Sequence, residues 1–239
     1  MRTAHNIPIV PDTTSAAPCF DVNCRRCGRL AAFLGQVRAK HPDYWCRPVP
    51  PFGDLDAALV IVGLAPGMHG ANASGRPFTG DHAGIILYQT LFDYGFANMP
   101  AVNGRGDGMR LTGCRITNAV KCLPPDNKPT PEEMRTCNTF LAADLASLAA
   151  GGAILALGRI AHDATLRALG LRSAAVPFAH GAQHSLDGGR MLLDSYHCSR
   201  YNTNTRRLTT PMFRAVFDAI ADHLGHARPA GARVQGSRV

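Results

Sequence analysis

The 239-residue chain has no run of apolar residues long enough to cross a membrane as a helix. Its first residues, Met1 to His5, lack the apolar core of a secretory signal, so we expect a cytoplasmic protein. No internal repeat is visible in the sequence. The apolar content of 46% is normal for a globular protein, and the length predicts one domain with ample material for a core.

Acidic residues are scarce. The chain has 17 of them against 25 lysines and arginines, which gives a formal net charge of +8 and a pI near 9.3. Such an excess of positive charge favours an anionic partner, and nucleic acid is the first candidate. The same charge also serves solubility, and charge alone does not separate these two interpretations.

The chain also lacks the glycine fingerprints of phosphate-binding loops. A buried strand beginning at Leu59 runs into a long loop whose glycines match neither G-x-G-x-x-G nor G-x-x-x-x-G-K-[ST]. The loop ends at Asp81, which is a candidate N-cap for the helix that follows. Because the loop is much longer than a connection needs, we expect it to carry function.

The side chains of this loop favour an uncharged planar ligand. It offers an aromatic ring (Phe78), a carboxylate (Asp81), an imidazole (His69) and an amide (Asn72). This set suits the face and edges of a neutral ring better than it suits a phosphate. The alternative interpretation is a surface loop with Phe78 tucked into the core.

Strands and helices alternate along the chain, which predicts a parallel sheet covered on both faces. We expect a single α/β domain over residues 19–224, a three-layer α/β/α fold with a central four-stranded parallel sheet. The predicted strands begin at Leu59, Arg115, Ala153 and Arg190. The predicted helices are Leu30–Val37, Ile85–Tyr94, 131–148, Ile160–Leu169 and Pro211–Leu224. Residues 1–18 and the basic tail 225–239 are expected to be flexible.

Eight cysteines in a cytoplasmic chain argue for metal or cluster ligation rather than disulfides. Cys24 and Cys27 form a C-x-x-C pair, while Cys122 and Cys137 flank a proline-rich loop and the start of a helix. Four such thiolates can hold zinc or a [4Fe–4S] cluster. The long gap between Cys122 and Cys137 fits a zinc ribbon poorly. Four buried free cysteines are the remaining alternative.

The last strand ends in a basic loop. His197 follows this strand and is expected on the same edge of the sheet as Gly63 and Asn118. The residues behind it contain three arginines, a tyrosine and several hydroxyls but no acid, which suits a DNA backbone. The alternatives are a hydrogen-bonded histidine at the edge of the sheet and a solvated loop.

Several stretches, taken together, resemble one family. They are Gly63–Gly67, Gly75–Asp81, Thr117–Cys122 and His197–Arg200 with Asn202 and Asn204. In this order they resemble the iron–sulfur uracil-DNA glycosylases, and they are most similar to the type B branch. The resemblance covers residues 20–224. Its glycine-loop and cysteine patterns are specific together and weak singly.

The resemblance implies hydrolysis of the N-glycosidic bond of uracil, or of another deaminated base such as hypoxanthine, flipped out of double-stranded DNA. It implies a [4Fe–4S] cluster on Cys24, Cys27, Cys122 and Cys137, and we expect a monomer. Phe78 matches the aromatic that stacks on the base, Asn118 the amide that reads it, and His197 the histidine near the pyrimidine O2. Together with the chemistry of the loops, this gives three groups of site residues. They are the base-binding residues Gly63, Ala65, Phe78 and Asn118, the catalytic residues Asp81 and His197, and the DNA-binding residues Ser199, Arg200, Asn202, Arg206 and Arg207.

Two positions depart from the family pattern. Leu64 stands where type A relatives carry a carboxylate, so water activation falls to Asp81, to His69 or to no residue at all. Cys198 stands where the family usually has proline. The competing function is a non-catalytic iron–sulfur or zinc DNA-binding module, which leaves the aromatic, the amide and the histidine at the strand ends unexplained.

Overall fold

The computed structural model describes residues 20–226. The predicted flexible ends, 1–18 and 225–239, lie outside these residues, except that Gly225 caps the last helix in a left-handed conformation and His226 follows it. No helix in the described part of the chain is both long and apolar enough to cross a membrane.

The sheet has six strands in the order β1-β3-β2-β4-β6-β5. The strands are β1 Phe52–Gly53, β2 Leu59–Gly63, β3 Cys114–Asn118, β4 Ala153–Leu157, β5 Gln183–Ser185 and β6 Met191–Ser195. The four central strands are parallel, as predicted, whereas β1 and β5 pair antiparallel at the two edges. The predicted central four-stranded parallel sheet is therefore confirmed, and the sheet is larger than predicted by its two antiparallel edge strands. Strands of two and three residues are too short to show the alternation by which a strand is recognised.

Helices cover both faces of this sheet. Within residues 20–226 they are α1 Gly28–Lys40, α2 Ala71–Ser74, α3 His82–Asp93, α4 Pro131–Ala146, α5 Arg159–Ala168, α6 Arg200–Asn204 and α7 Thr210–Leu224. The five longer helices were predicted. The short helices α2 and α6 were not, because four or five polar and small residues carry no helical period.

The central strand shows how the layers form. Every residue of β2 is buried, and successive side chains point to opposite faces. Leu59 and Ile61 pack into the core beneath α3 and α7, while Val60 and Val62 pack into the core beneath α4 and α5. The continuous apolar run is therefore that of a strand buried on both faces, and it confirms a single α/β domain.

Helix α4 begins with a capping box. The Thr130 hydroxyl accepts from the Glu133 amide at 3.2 Å, and the Glu133 carboxylate accepts from the Thr130 amide at 2.7 Å. The same carboxylate accepts two bonds from Arg29 on α1, at 2.8 and 2.7 Å. This contact ties the start of α1, and the C-x-x-C pair before it, to the start of α4.

Candidate active site

A cavity of about 290 Å³ opens at the carboxyl ends of β2, β3 and β6. Parallel strands end at one edge of a sheet, so side chains far apart in sequence meet there. Seven of the predicted site residues line the cavity: Ala65, Phe78, Asp81, Asn118, His197, Ser199 and Arg200. Leu64 lines it too, so an aliphatic side chain stands beside the proposed base site.

Phe78 forms one wall of the cavity. Its ring is 6% exposed, and its centroid lies 6.0 Å from that of His197 with 29° between the planes. Its backbone has a left-handed φ of 53°, which few non-glycine residues adopt. A Cβ at Gly84 would lie 1.9 Å from the Phe78 carbonyl oxygen, so α3 begins directly against this residue. The ring is thus a fixed, flat surface.

Asn118 lies at the end of β3, beside Gly63 at the end of β2. It is 4% exposed, and its side-chain amide has no hydrogen-bond partner among residues 20–226. A Cβ at Gly63 would lie 2.4 Å from the Asn118 Oδ1 and 2.7 Å from the Phe78 ring. Glycine at position 63 therefore makes room for both side chains, and a buried amide remains free to donate and accept.

Asp81 caps α3 by accepting from the Gly84 amide at 3.2 Å. Burial raises the pKa of its carboxyl above the ordinary value, although bonds from the helix amides oppose the shift. The carboxyl packs closely on the glycine loop, since a Cβ at Gly70 would lie 2.6 Å from its Oδ2. Asp81 is therefore both a helix cap and a partly desolvated carboxyl on the cavity lining.

His197 faces Phe78 across the cavity. Burial lowers the pKa of its imidazole, so the ring is neutral at pH 7. In the described part of the chain the ring nitrogens have no hydrogen-bond partner, but the Asn202 side chain donates to the His197 carbonyl at 2.8 Å. Asn202, predicted to bind DNA, is thus already engaged in holding the backbone of His197.

His69, the other candidate for water activation, lies outside the cavity lining. It is exposed, and its Nδ1 lies 2.9 Å from the Tyr44 hydroxyl. His41 stacks on Tyr44 with 4.5 Å between the ring centroids. Of the two candidates, the structure places only Asp81 on the lining.

The basic loop after His197 folds into α6. Ser199 caps this helix by accepting from the Asn202 amide at 3.4 Å, and Arg200 lies at the cavity mouth. Arg206 and Arg207 lie beyond α6 and are exposed, with the Arg207 guanidinium 4.7 Å from the centre of the Tyr196 ring. The loop therefore presents three exposed guanidinium groups.

Sequence reasoning missed Tyr201, which is 71% exposed on α6 next to Arg200. An exposed aromatic beside a cavity is suited to stack on a base or to fill a gap in a stacked duplex. Its one sequence signal is a tyrosine within a polar, basic stretch, which does not distinguish an exposed ring from a buried one.

All four cysteines of the predicted cluster line a second cavity. Cys24, Cys27, Cys122 and Cys137 pack together in the apolar group formed by Leu30, Val120 and Phe140. The Lys121 amide donates to the Cys137 sulfur at 3.3 Å. Burial and the neighbouring Cys137 raise the pKa of Cys27 to about 11, and burial raises that of Cys122 as well. Ala65 packs against the apolar group that holds the four cysteines and also lines the 290 Å³ cavity at the strand ends, so the two cavities adjoin.

A third group of ligand-type side chains lies beneath β6. One ligand atom from each of His162, His184 and Asp194 lies within 4.8 Å of the others. His162 already uses both nitrogens, at 2.7 Å from the Asp194 carboxylate and 2.9 Å from the Val176 carbonyl. Burial lowers the pKa of His162, but Asp194 outweighs it and the net shift is upward. Both His162 nitrogens face oxygen acceptors, so the ring carries a proton on each of them and forms a buried ion pair with Asp194.

Comparisons with known proteins agree on one family. The model of the uracil DNA glycosylase superfamily matches residues 50–221. A type-5 uracil-DNA glycosylase of Thermus thermophilus is 50% identical over 198 residues, which cover 81% of this chain and 90% of that protein. A type-5 uracil-DNA glycosylase of Pyrobaculum aerophilum is 42% identical over 208 residues, covering 85% and 90%. A type-4 uracil-DNA glycosylase of Thermotoga maritima is 39% identical over 94 residues, covering 39% and 41%. The family match covers every residue that lines the 290 Å³ cavity and begins after the C-x-x-C pair.

Proposed function

Because the chain belongs to the uracil DNA glycosylase superfamily, we propose that it hydrolyses the N-glycosidic bond of uracil flipped out of double-stranded DNA, leaving an abasic site. One observation carries this proposal: a flat ring, an unpartnered amide and a neutral imidazole meet at one cavity. A non-catalytic DNA-binding module has no need for these three side chains to line one cavity.

The direct test incubates the protein with duplex DNA containing a single uracil and assays for alkali-labile abasic sites. We expect strand cleavage after alkali at the uracil position only. Matched duplexes with thymine or cytosine at that position serve as controls. Binding to uracil DNA without abasic sites would favour the non-catalytic module.

Base recognition follows from Phe78 and Asn118. The Phe78 ring offers a face on which a flipped base stacks. The Asn118 amide can donate to the uracil O4 and accept from its N3–H, which is the pattern that separates uracil from cytosine. Because the amide has no competing partner among residues 20–226, no internal hydrogen bond is broken when the base enters.

Bond cleavage places negative charge on the base and positive charge on the sugar. The bond between C1′ and N1 breaks with its electron pair on uracil, and a water oxygen bonds to C1′. His197, neutral at pH 7, donates a hydrogen bond to the pyrimidine O2 as that charge develops. Asp81 accepts the proton of the water, since Leu64 beside it has no acid–base chemistry.

Replacing Asp81 with asparagine separates its two roles. An asparagine still caps α3, so stability should hold, while loss of a general base should lower the single-turnover rate by roughly 10²- to 10⁴-fold. Because the carboxyl acts as a base only when ionised and burial raises its pKa, the wild-type rate should fall with acidification at a pH above the ordinary aspartate value. A full rate in Asp81→Asn would make this residue a cap alone and leave the reaction to electrostatics at the departing base.

We propose that other deaminated bases, such as hypoxanthine, are also substrates. Small residues, Ala65, Gly67 and Ala71, form part of the cavity lining, which leaves space for a ring larger than uracil. The same abasic-site assay with a duplex that contains hypoxanthine tests this proposal. The abasic sites formed from the matched thymine duplex give the background level for a base that is not a substrate.

Contact with the DNA backbone is assigned to the exposed arginines 200, 206 and 207. Guanidinium groups neutralise phosphates without reading sequence. Ser199 and Asn202 were predicted to join them, but their side chains form hydrogen bonds within the loop. We therefore propose that these two residues shape the loop that presents the arginines.

We also propose a [4Fe–4S] cluster held by Cys24, Cys27, Cys122 and Cys137. The donor set fits: four sulfurs in an apolar cavity, with a backbone amide donating to one of them. Burial and the neighbouring sulfurs raise the pKa values of Cys27 and Cys122 and so disfavour the free thiolates, which a bound cationic centre would stabilise. When bound, the cluster supplies a covalent cross-link between the residues before α1 and the β3–α4 segment.

Anaerobically purified protein should be brown and contain iron and sulfide. Cys122→Ser should lose the iron and unfold at a lower temperature, because the cross-link is broken. Cys46→Ala is the matched control, since Cys46 is also buried but packs in the neighbouring apolar group. Stoichiometric zinc without iron in the wild type would reject the cluster.

A further inference from the structure

We infer that the hydrogen bond between His82 and Thr203 is a latch that fixes the two walls of the base cavity relative to each other. The inference rests on the proposed function and adds a pair of positioning residues to it. His82 is the first residue of α3 and follows Asp81 directly. Thr203 lies on α6, in the loop that begins at His197.

The contact joins two segments that both contribute residues to the cavity lining, the start of α3 and the α6 segment. The His82 Nε2 lies 2.8 Å from the Thr203 Oγ1, which joins residues 121 positions apart. The Thr203 oxygen also lies 3.2 and 3.1 Å from the carbonyl oxygens of Ser199 and Arg200. A hydroxyl has one proton; with that proton on one of these two carbonyls, the hydroxyl oxygen accepts from the His82 N–H.

Both ends of the latch adjoin catalytic candidates. On one side His82 is bonded covalently to Asp81, whose carboxyl lies on the lining. On the other side Asn202, the neighbour of Thr203, donates to the carbonyl of His197 at 2.8 Å. The latch therefore links the proposed base to the residue that stabilises the leaving anion.

Helix α6 has little else to hold it. It has five residues, and none of them is buried. Its other hydrogen bonds among residues 20–226 all stay inside segment 197–208; they include the Asn202 contact with the His197 carbonyl and the bond from the Leu208 amide to the Asn202 carbonyl at 3.0 Å. A segment with so few packing contacts opens locally at low cost. The hydrogen bond from His82 to Thr203 therefore has a large influence on where His197 and Arg200 lie.

The test compares two threonines. Thr203→Val removes the hydroxyl and keeps the shape, and Thr205→Val is the matched control. The Thr205 Oγ1 donates to the Tyr201 carbonyl at 2.8 Å and makes no contact across the cavity. We expect Thr203→Val and His82→Ala to lower the single-turnover rate on uracil DNA roughly ten- to a hundredfold. Thr205→Val should change it little, and affinity for abasic product should hold.

The double variant decides whether the two residues act through one contact. If they do, His82→Ala with Thr203→Val is no slower than the slower single variant. His82→Gln, which restores an N–H donor, should recover part of the rate. If the rate losses of the two single variants multiply in the double variant, or if Thr205→Val lowers the rate as much as Thr203→Val, the latch is overturned.

Amide hydrogen exchange separates failure of the latch from failure of the proposed function. Thr203→Val and His82→Ala should speed exchange in α6 without any DNA present, and Thr205→Val should do so less. A wild-type protein that excises no uracil would overturn the function while this result still stands. Unchanged exchange in both variants would overturn the latch.

Discussion

His197→Ala is expected to lower the single-turnover rate of uracil excision by about 10²- to 10³-fold, the usual effect of removing one donor at a developing anion. The imidazole lines the cavity beside the Phe78 ring, and its ring nitrogens have no hydrogen-bond partner among residues 20–226. Its bond to the base strengthens as charge builds, so its loss affects the transition state more than the ground state. Binding to DNA that already contains an abasic site should be nearly unchanged.

The pH dependence gives a second measurement of the same role. Burial lowers the pKa of His197, so the ring is already neutral at the pH where an ordinary histidine titrates. The wild-type rate should therefore show no inflection near pH 6.5 from this residue. His69→Ala is the matched control, because that histidine is exposed and bonded to Tyr44. A rate for His197→Ala that matches this control would remove His197 from the reaction.

The central part of the fold was predictable because its strands carry strong local patterns. Ala153–Leu157 is an uninterrupted apolar run buried on both faces, and the structure places β4 on those residues. Edge strands depend on their partners instead. Phe52–Gly53 becomes β1 by pairing with Ile116 and Arg115, far along the chain, and nothing within its two residues predicts this.

The same distinction applies to the cavity. Phe78, Asn118 and His197 were placed together because the ends of parallel strands share one edge, which is a rule of topology. The hydrogen bond of His82 to Thr203 and that of Asn202 to the His197 carbonyl depend on how the loops fold over that edge. No spacing or periodicity in the sequence reports such contacts, so the contacts became visible only in the structure.

Gly63→Ala should abolish most of the activity through a single methyl group. A Cβ at this position would lie 2.4 Å from the Asn118 Oδ1 and 2.7 and 2.8 Å from two carbons of the Phe78 ring. Both side chains proposed to hold the base must then move or the strand end must shift. Moving Phe78 and Asn118 away from the added methyl group should lower the single-turnover rate roughly a hundredfold or more. Overpacking should also lower the free energy of unfolding by about 1–3 kcal/mol.

Gly67→Ala is the matched control in the same loop. A Cβ there meets only the Asp81 Oδ2, at 3.7 Å, which is an ordinary van der Waals contact. The two variants add the same methyl group and differ in whether it reaches Phe78 and Asn118. Comparing the single-turnover rates and thermal unfolding of the two variants therefore measures the effect of a methyl group that contacts Phe78 and Asn118. A Gly63→Ala protein as active as Gly67→Ala would show that Phe78 and Asn118 do not hold the base from their observed positions, and base recognition would have to be assigned elsewhere on the lining.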